Sequence, residues 1–191
     1  MFDHERDLQL AVRMSQGDEE AFALIYEQYG KPLKSYFFRA SYDDREAEDL
    51  VQETFLRLWR ARERYRPEGK FSTYLFQIAK NLWINRRQRL RRNPVRMSID
   101  RHGDDAGPPE PPAPLEATDP GEHVHRDEMV EVLRGAILEL PEKHRDVLLL
   151  GRIDGLRYRE IAEILDIPVG TVKSRMAAAE EKLRARMKKY L

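Results

Sequence analysis

The segment that decides the fold runs from Leu140 to Leu183 and reads LPEKHRDVLLLGRIDGLRYREIAEILDIPVGTVKSRMAAAEEKL. It predicts a helix that ends near Gly155, then a short helix, a tight turn and a longer basic helix. Asp166 stands at the turn position where glycine is common, and Asp tolerates the left-handed backbone better than most residues. Pro168 suits the first turn of the helix that follows, because a missing N–H costs little there.

Three residues in this segment have the spacing that holds a helix-turn-helix together. Ala162 is small enough for the second helix to cross closely, while Ile167 and Val172 fill the angle between the two helices. A helix presented in this way can enter the major groove of DNA. An ordinary helical hairpin is the alternative that this segment, taken alone, leaves open.

The composition narrows the class of protein. The 191 residues suffice for one large domain or two small ones, and the 34 basic and 34 acidic residues cancel. The absence of cysteine excludes disulfides and thiolate sites. No apolar run approaches the roughly 20 residues that cross a bilayer, and the polar N-terminus lacks the apolar core of a signal peptide. These features predict a soluble cytoplasmic protein with no membrane insertion of its own.

Catalytic and metal-binding patterns are missing from the sequence. The five histidines show no spacing typical of metal ligands or of a catalytic triad, and there is no glycine-rich loop of the kind that cradles phosphate. The sequence therefore predicts no enzymatic activity, no metal and no cofactor.

A proline-rich, acidic stretch divides the chain. Six prolines lie between residues 108 and 120, among acidic side chains and few apolar ones. Such a composition disfavours helix, sheet and core, which predicts a flexible linker over residues 98–126. It serves as a solvated tether or, alternatively, threads a basic channel in a partner. The flanking segments, 1–97 and 127–191, are predicted to be all-α domains, a helical bundle and the helix-turn-helix domain.

Helix signals recur along both flanking segments. Asp18 is predicted to cap a helix that the sequence Gly30-Lys31-Pro32 then interrupts, and Asp43 or Asp44 is predicted to cap the next one. A further helical pattern starts at Ser72. The second domain is predicted to begin with an apolar stripe formed by Val130, Leu133, Ile137 and Leu140.

The helix predicted from Arg45 to Arg60 has two unlike faces. One is apolar, and the opposite one carries Asp49, Gln52, Glu53 and Leu56. A leucine in the middle of a polar face suits docking onto a basic or amphipathic helix of another protein. The alternative is that the two acids only make this helix soluble.

The block that follows combines aromatic and basic residues, as single-stranded DNA binding requires, since aromatic rings stack on bases and cations neutralise phosphates. Phe71 and one of Tyr74 or Phe76 are nevertheless expected in the core. Asn81 and Asn85 lie four residues apart on one helix face and could bond base edges. A solvated helix face is the alternative for the basic run. The aromatic residues are Tyr65, Phe71, Tyr74, Phe76 and Trp83, interleaved with Arg64, Arg66, Lys70 and Lys80, and the basic run is Arg86, Arg87, Arg89, Arg91, Arg92 and Arg96.

Four of these segments, in this order, resemble the extracytoplasmic-function (ECF) group of bacterial sigma factors. They are AFALIYEQYGKPLKSYFFR from Ala21, AEDLVQETFLRLWR from Ala47, FSTYLFQIAKNLWINRRQR from Phe71, and the helix-turn-helix segment. The resemblance implies a dissociable subunit of RNA polymerase. Its first domain would read and help melt the −10 element, its second would read the −35 element, and its linker would run through the polymerase.

The resemblance also implies roles for single residues. Asp49, Gln52 and Glu53 match the face that binds the β′ clamp helices, and the second domain would contact the β flap. Asn81 and Asn85 match helix positions that contact −10 nucleotides. Tyr65, Lys70, Phe71 and Ser72 match a loop that captures a flipped −10 base; Thr171, Lys173, Ser174 and Arg175 match groove-facing −35 positions; and Tyr158 and Arg159 match backbone contacts.

Two further expectations complete this interpretation. Many members of the group are held by an anti-sigma factor, so one is expected as a partner here. Ala177, Ala178 and Ala179 depart from the long side chains that relatives place after the groove-facing positions, which puts the −35 preference in doubt. The competing hypothesis is a helix-turn-helix transcriptional regulator that acts on DNA without being a polymerase subunit.

Overall fold

The computed structural model describes residues 3–92, 120–153 and 156–188, with side chains in the second range from residue 129 onward. Across these ranges the chain forms eight α-helices and one 3-10 turn, and no strand, so the predicted all-α class is confirmed. Most of the predicted linker, and Arg96, lie outside the described residues. The elements are α1 (His4–Ser15), α2 (Glu19–Ser41), α3 (Asp44–Arg60), the 3-10 turn (Arg62–Arg64), α4 (Phe71–Arg92), α5 (Pro120–Glu139), α6 (Glu142–Gly151), α7 (Tyr158–Leu165) and α8 (Val169–Met187).

Helices α1 to α4 form the first domain, and side-chain caps fix where they start. The carboxylate of Asp18 accepts from the backbone N–H of Ala21 at 3.0 Å at the start of α2. Asp43 does the same for the N–H of Glu46 at 2.9 Å at the start of α3. Each cap satisfies an N–H that has no partner within the helix. Both predicted caps are confirmed, with Asp43 rather than Asp44 in the second.

The predicted interruption at Gly30-Lys31-Pro32 is wrong, because α2 continues through it from Glu19 to Ser41. Proline inside a helix removes one hydrogen bond and crowds the preceding turn, at a cost of about 3 kcal/mol. Tyr29, Leu33 and Phe37, on either side of Pro32, are all fully buried. This burial continues one apolar stripe across the proline, and the packing outweighs the local cost.

A buried carboxylate ties α1 to α2. Asp7 accepts hydrogen bonds from the Tyr29 hydroxyl and from the Gln28 side-chain amide, both at 2.6 Å. Burial, with the Asp7 contact adding to it, raises the pKa of Tyr29. The ring of Tyr29 also meets the ring of Phe71 in α4 edge-on, with centroids 5.6 Å apart. The start of α4 is thereby anchored in the core.

Helices α5 to α8 form the second domain, in which α7 and α8 make the predicted helix-turn-helix. Asp166 adopts the left-handed conformation, with φ 54° and ψ 53°. The chain then returns on itself, since the N–H of Ile167 donates to the carbonyl of Ala162 at 3.0 Å. Val172 is fully buried between the helices, and Pro168 lies just before the first residue of α8.

Two expectations for the second domain differ from the structure. Helix α6 ends at Gly151 rather than near Gly155, and α5 starts at Pro120, within the stretch expected to be linker. Proline is compatible with a helix start because its missing N–H would have no partner there. The predicted apolar stripe is buried only at its end: Leu140 is buried, whereas Val130 is 50% exposed and Leu133 is also exposed.

The two domains contact each other. Helices α6 and α7 of the second domain pack against α2 and α4 of the first. At one edge, the guanidinium of Arg134 in α5 lies 5.0 Å from the ring centroid of Tyr42, the residue that follows the end of α2. At another, Arg39 of α2 donates to the carbonyl of Arg152 at 3.2 Å.

Candidate polymerase-binding and nucleic-acid interfaces

The outer face of α3, defined by Asp49, Gln52, Glu53 and Leu56, points away from the core. Asp49 and Gln52 are exposed, and Leu56 is 48% exposed in the middle of the face. Glu53 pairs with Arg57 one turn later at 2.7 Å. The opposite side of the helix is buried. The α3 outer face therefore offers an apolar centre with an acidic and amide rim, which suits a basic or amphipathic helix.

The segment from Tyr65 to Ser72, called the −10 loop after the role predicted for it, runs into the first turn of α4 and has its aromatic rings turned inward. Phe71 and Ser72 are buried, and the ring of Phe71 meets Tyr65 edge-on at 5.9 Å. Tyr65 also contacts the ring of Tyr74 at 5.3 Å, and Tyr74 remains half-buried. Phe71 and Phe76 are both in the core, as expected. In this conformation Phe71 is unavailable for stacking on a base.

The hydroxyl of Tyr65 is a buried polar group without a partner among the described residues. Burial raises the pKa of this phenol. Leaving a buried hydroxyl unpaired costs about 1–3 kcal/mol. Tyr65 is thus better suited to form a hydrogen bond through its hydroxyl than to stack its ring on a base.

Along α4, the predicted base-contacting residues point outward. Asn81 and Asn85 are exposed and lie one turn apart on the same side of the helix. Arg86 beside them is engaged within the first domain, donating to the Glu46 carboxylate at 2.6 Å and 3.1 Å. The two asparagines are accessible to a ligand in this conformation, and Arg86 is held by an acid.

Further along α4, the basic run meets acids of the second domain. Arg87 lies 3.0 Å from Glu142 and 3.5 Å from Asp146, both on α6. Arg91 also pairs with Glu142. Burial raises the pKa of Asp146. Part of the surface expected to bind phosphates is therefore neutralised by carboxylates of the same chain.

Lys70, in the −10 loop, also pairs across the two domains. Its ammonium contacts the carboxylate of Glu160 on α7, whose other oxygen accepts from the backbone N–H of Arg157 at 2.8 Å. Nearby, the Gln77 side-chain amide donates to the carbonyl of Glu163 at 3.1 Å. Between the loop and α7 lies a cleft of about 550 Å³, lined in part by Arg157 and Arg159.

Helix α8 presents its first turns to solvent. Lys173 and Ser174 are exposed, and the Ser174 hydroxyl donates to the carbonyl of Thr171 at 3.1 Å. Thr171 and Arg175 are half-buried. At the start of α7, Tyr158 and Arg159 are exposed. The six residues predicted to contact the −35 element all retain exposed surface on the helix-turn-helix.

The alanines of α8 fall into different environments. Ala179 is fully buried, Ala178 is half-buried and Ala177 is exposed. A longer side chain at 179 would enter the core of the second domain. Only Ala177, among the three, occupies a position where a long side chain could have extended into solvent.

Comparison with known proteins decides the family. The Sigma-70 region 2 family model matches residues 25–93, and the Sigma-70, region 4 family model matches residues 131–183. The RNA polymerase sigma-H factor of Pseudomonas aeruginosa is 34% identical over 182 residues, covering 95% of this chain and 93% of the relative. The ECF RNA polymerase sigma factor SigW of Bacillus subtilis is 34% identical over 176 residues, covering 92% and 94%. The chain belongs to the ECF RNA polymerase sigma factors.

This ECF sigma factor has a fold seen in solved relatives. The sigma factor RpoE from Bartonella quintana, solved with the anti-sigma factor NepR, matches with a TM-score of 0.64 at 23% identity, covering 87% of this chain and 96% of the other. The protein is a transcription initiation factor that directs RNA polymerase to promoters. None of the helices in the described ranges combines the length and apolar character that a bilayer crossing requires.

Sequence reasoning missed the residues of this sigma factor that join its domains. Glu142, Asp146 and Glu160 carry no motif, and in the sequence they are acids like any others. Arg87 was one cation in a run, with nothing to distinguish it from Arg89. Their pairing depends on how the two domains meet, which no local pattern encodes.

Proposed function

We propose that this ECF sigma factor divides its work among three surfaces. The α3 outer face binds core RNA polymerase, the −10 loop and α4 hold the melted −10 strand, and α8 reads the −35 duplex. The observation that carries this proposal is that two unlike DNA-binding chemistries occur in one chain. Exposed amides lie beside a basic run on α4, and α8, the second helix of the helix-turn-helix, has exposed residues in its first turns.

Polymerase binding is assigned to the α3 outer face because this face exposes an apolar side chain that does not pack in the core of the domain. Leu56 has no core to fill, yet it is surrounded by Asp49, Gln52 and Glu53. Partly apolar faces with a polar rim are typical of protein interfaces. The partner that complements it has basic and apolar side chains on a helix, as the β′ clamp helices provide in the ECF group. The second domain is assigned to the β flap by the same resemblance.

Holding of the −10 strand is assigned to the exposed polar groups rather than to the buried rings. Asn81 and Asn85 present amides that can bond the Watson–Crick edges of unpaired bases. Lys70 is a phosphate-binding cation at the loop. Tyr65 and Tyr74 form the wall of the loop, with the Tyr65 hydroxyl available to a captured base, and Phe71 and Ser72 position that wall from the core. Arg86 adds a phosphate contact after release from Glu46.

Reading of the −35 duplex is assigned to the first turns of α8. Lys173 and Ser174 reach base edges, with Thr171 at the helix start, while Arg175, Tyr158 and Arg159 bind the backbone. Residues early in a recognition helix approach bases because the helix enters the groove by its N-terminal end. The short side chain of Ala177 leaves this interface with fewer contacts beyond Arg175.

The remaining assignments follow from these surfaces. We assign residues 1–97 to the polymerase and −10 domain, 98–126 to the linker and 127–191 to the −35 domain. The protein works in the cytoplasm, as a binding subunit without catalytic activity or cofactor, and an anti-sigma factor competes for it. That partner is supported by the relative solved with NepR.

Run-off transcription with purified core RNA polymerase on genomic fragments, followed by start-site mapping, tests this function. We expect initiation only when core and sigma factor are both present, downstream of shared −10 and −35 sequences. A helix-turn-helix regulator would instead bind its DNA without core and would leave start sites unchanged. That second outcome would refute the proposal.

A further inference from the structure

A buried acid in the first helix begins a series of side-chain contacts that ends in the −10 loop. Asp7 of α1 is 2% exposed, and its carboxylate accepts from the Tyr29 hydroxyl and from the Gln28 amide, both at 2.6 Å. The ion pairs among the described residues do not include Asp7. Two neutral donors from α2 therefore hold this carboxylate in the core.

A buried carboxylate is a costly way to join two helices. Removal of the charge from water disfavours folding, and hydrogen bonds recover only part of that loss. An apolar residue beside Leu10, Ala11 and Met14, the other buried residues of α1, would join the helices without this cost. The carboxylate adds direction, because a hydrogen bond forms only at a defined distance and angle. Asp7 therefore fixes the position of the group that it binds.

The group fixed by Asp7 is the ring of Tyr29. Burial, followed by the Asp7 contact, raises the pKa of this phenol, so its hydroxyl stays protonated and donates at neutral pH. The Tyr29 ring meets Phe71 edge-on at 5.6 Å, and Phe71 meets Tyr65 edge-on at 5.9 Å. Tyr65 in turn contacts the ring of Tyr74 at 5.3 Å. Three ring contacts thus connect the Asp7 site to the aromatic wall of the −10 loop.

Helix α1 packs where this series of contacts needs support. It lies against α2, against α4 and against the 3-10 turn that precedes the −10 loop. Edge-on aromatic pairs favour particular angles and centroid distances, so a ring that moves tends to displace the ring beside it. A shift of the Tyr29 ring is therefore passed to Phe71, and from Phe71 to Tyr65.

We infer that Asp7 is a positioning residue for capture of the −10 strand, which holds the Tyr65 wall of the loop in place through Tyr29 and Phe71. This inference rests on the proposed −10 role of the loop. A wall that is already in place spares the strand the cost of ordering it, and a small displacement of such a wall weakens binding. Loss of the acceptor at residue 7 should therefore weaken capture of a base without affecting the α3 outer face.

Two variants of Asp7 and one control separate positioning from stability alone. Asp7→Leu keeps a side chain of similar size and removes the acceptor. Asp7→Asn retains an oxygen for the Tyr29 hydroxyl, and its NH2 can donate to the Gln28 side-chain carbonyl once that amide turns over. Met14→Ala is the matched control, since Met14 is fully buried on the same face of α1, about 10 Å further along the helix. Urea denaturation measures how far each variant lowers the free energy of unfolding.

Hydrogen–deuterium exchange of the free protein reports on the loop without DNA. We expect the backbone amides of residues 66–70 to exchange at least about 3-fold faster in Asp7→Leu than in wild type, because the loop opens locally more often. Asp7→Asn should restore slow exchange. Met14→Ala should leave the exchange of this segment at the wild-type rate even where its loss of unfolding free energy equals that of Asp7→Leu.

Base capture is measured with holoenzyme reconstituted from core polymerase. The probe is a template with an unpaired −10 region taken from a mapped start site, with 2-aminopurine placed in turn at each non-template position. Its fluorescence reports whether the base is stacked on its neighbours, and we expect wild type to change it at one position. Asp7→Leu should need about 3- to 10-fold more holoenzyme for half of that change, the effect of one lost hydrogen bond. Asp7→Asn and Met14→Ala should remain close to wild type.

A second variant decides the question if Asp7→Leu does not fold. Tyr29→Phe removes the same hydrogen bond and keeps the ring, so it should raise loop exchange and weaken base capture in the same direction. Equal effects of the Asp7→Leu and Met14→Ala variants on exchange and capture would make Asp7 a stabilising residue only and would overturn the inference. Wild-type exchange and capture in Asp7→Leu would overturn it as well. A wild-type holoenzyme that changes the fluorescence at no position would instead refute the −10 role of the loop itself, and the inference with it.

Discussion

Helices α4 and α8 are both assigned to DNA, yet the structure presents them in opposite states. On α4, Arg87 and Arg91 are paired with acids of the other domain. On α8, Lys173 and Ser174 are exposed. The difference shows that charge in a sequence does not measure the charge available to a ligand. Two cations of α4 are already occupied by acids of the same chain, whereas the first turn of α8 is open to solvent.

The largest expected effect comes from destabilising the second domain, which carries α8, while the first domain, which carries α4, stays folded. Ile161→Ala empties a fully buried position in the second domain. It should lower that domain's free energy of unfolding by about 2–5 kcal/mol. Urea denaturation followed by circular dichroism measures this loss, and electrophoretic mobility of the holoenzyme reconstituted with core polymerase on duplex −35 DNA measures the loss of α8 binding.

The first domain should respond to the same change in the opposite sense. With the second domain loosened, the −10 strand should bind at least as tightly as in wild type. Leu33→Ala, at a buried position of α2, is the matched variant that should remove −10 binding. Loss of both DNA activities in Ile161→Ala would mean that α4 depends on the second domain for its fold and that the two surfaces are not independent.

The next effect concerns the α3 outer face, which is the third proposed surface. Charge reversal by Asp49→Lys with Glu53→Lys should weaken core polymerase binding about 30-fold or more, the size typical of central interface residues. Both positions face away from the core, so the thermal melting curve should barely move. Core affinity is measured by fluorescence anisotropy of labelled sigma factor. An equal loss of helical content would assign these acids a structural role instead.

On α8, two cations should contribute differently. Lys173→Ala should cost about 1–3 kcal/mol on the matched −35 sequence and relax preference at one position. Arg175→Ala should weaken all sequences alike and lower the salt slope by about one, because phosphate contacts do not discriminate sequence. A library of −35 variants assayed with holoenzyme at two salt concentrations separates these outcomes. Retention of the wild-type ranking and slope by both variants would exclude α8 as the reader.

On α4, the exposed amides should matter only where strands must be held apart. Asn81→Ala should slow open-complex formation on duplex promoters about 3- to 10-fold, the loss of one or two hydrogen bonds. The same variant should be near wild type on a template whose −10 region is already unpaired. Permanganate footprinting measures the open complex on both. Equal rates for variant and wild type on both templates would remove Asn81 from the −10 surface.

What the sequence could predict divides along physical lines. Helix caps at Asp18 and Asp43 and the left-handed turn at Asp166 depend on neighbours within a few residues, so local chemistry sufficed. The exposed position of Leu56 followed from helical periodicity alone. Pro32 misled because tertiary packing of α2 outweighs a local penalty that is real.

No local feature of the sequence predicted that basic residues of α4 form ion pairs with acids of the second domain. Arg87 meets Glu142 only because α4 and α6, which the linker separates in sequence, pack together in space. From the sequence alone, Glu142 and the other acids at this contact would have been interpreted as charges that only make the helices soluble. Predicting them would require knowing the relative placement of two domains, which depends on the sum of many weak contacts.

The smallest expected effect is at Tyr65, in the loop that α7 covers. Tyr65→Phe removes a buried hydroxyl that has no partner among the described residues while keeping the ring contacts with Phe71 and Tyr74. Loss of an unpaired buried group should leave the free energy of unfolding unchanged or raise it by up to about 1 kcal/mol. Urea denaturation of the full chain, monitored by circular dichroism, is the measurement.

An unchanged or higher free energy of unfolding, together with weaker binding of the −10 strand, would distinguish Tyr65 from an ordinary core residue. If a captured base pairs with the hydroxyl, Tyr65→Phe should bind the −10 strand about 3- to 10-fold more weakly, since one hydrogen bond is lost. Tyr36→Phe is the control, because its hydroxyl is also buried and has no partner among the described residues, but its ring lies where α2 packs on α4, 6.2 Å from the ring of Phe76. It should show the stability effect without the binding loss. Equal strand affinity in both variants would place the Tyr65 hydroxyl outside the −10 contact and leave α4 alone as the base-holding element.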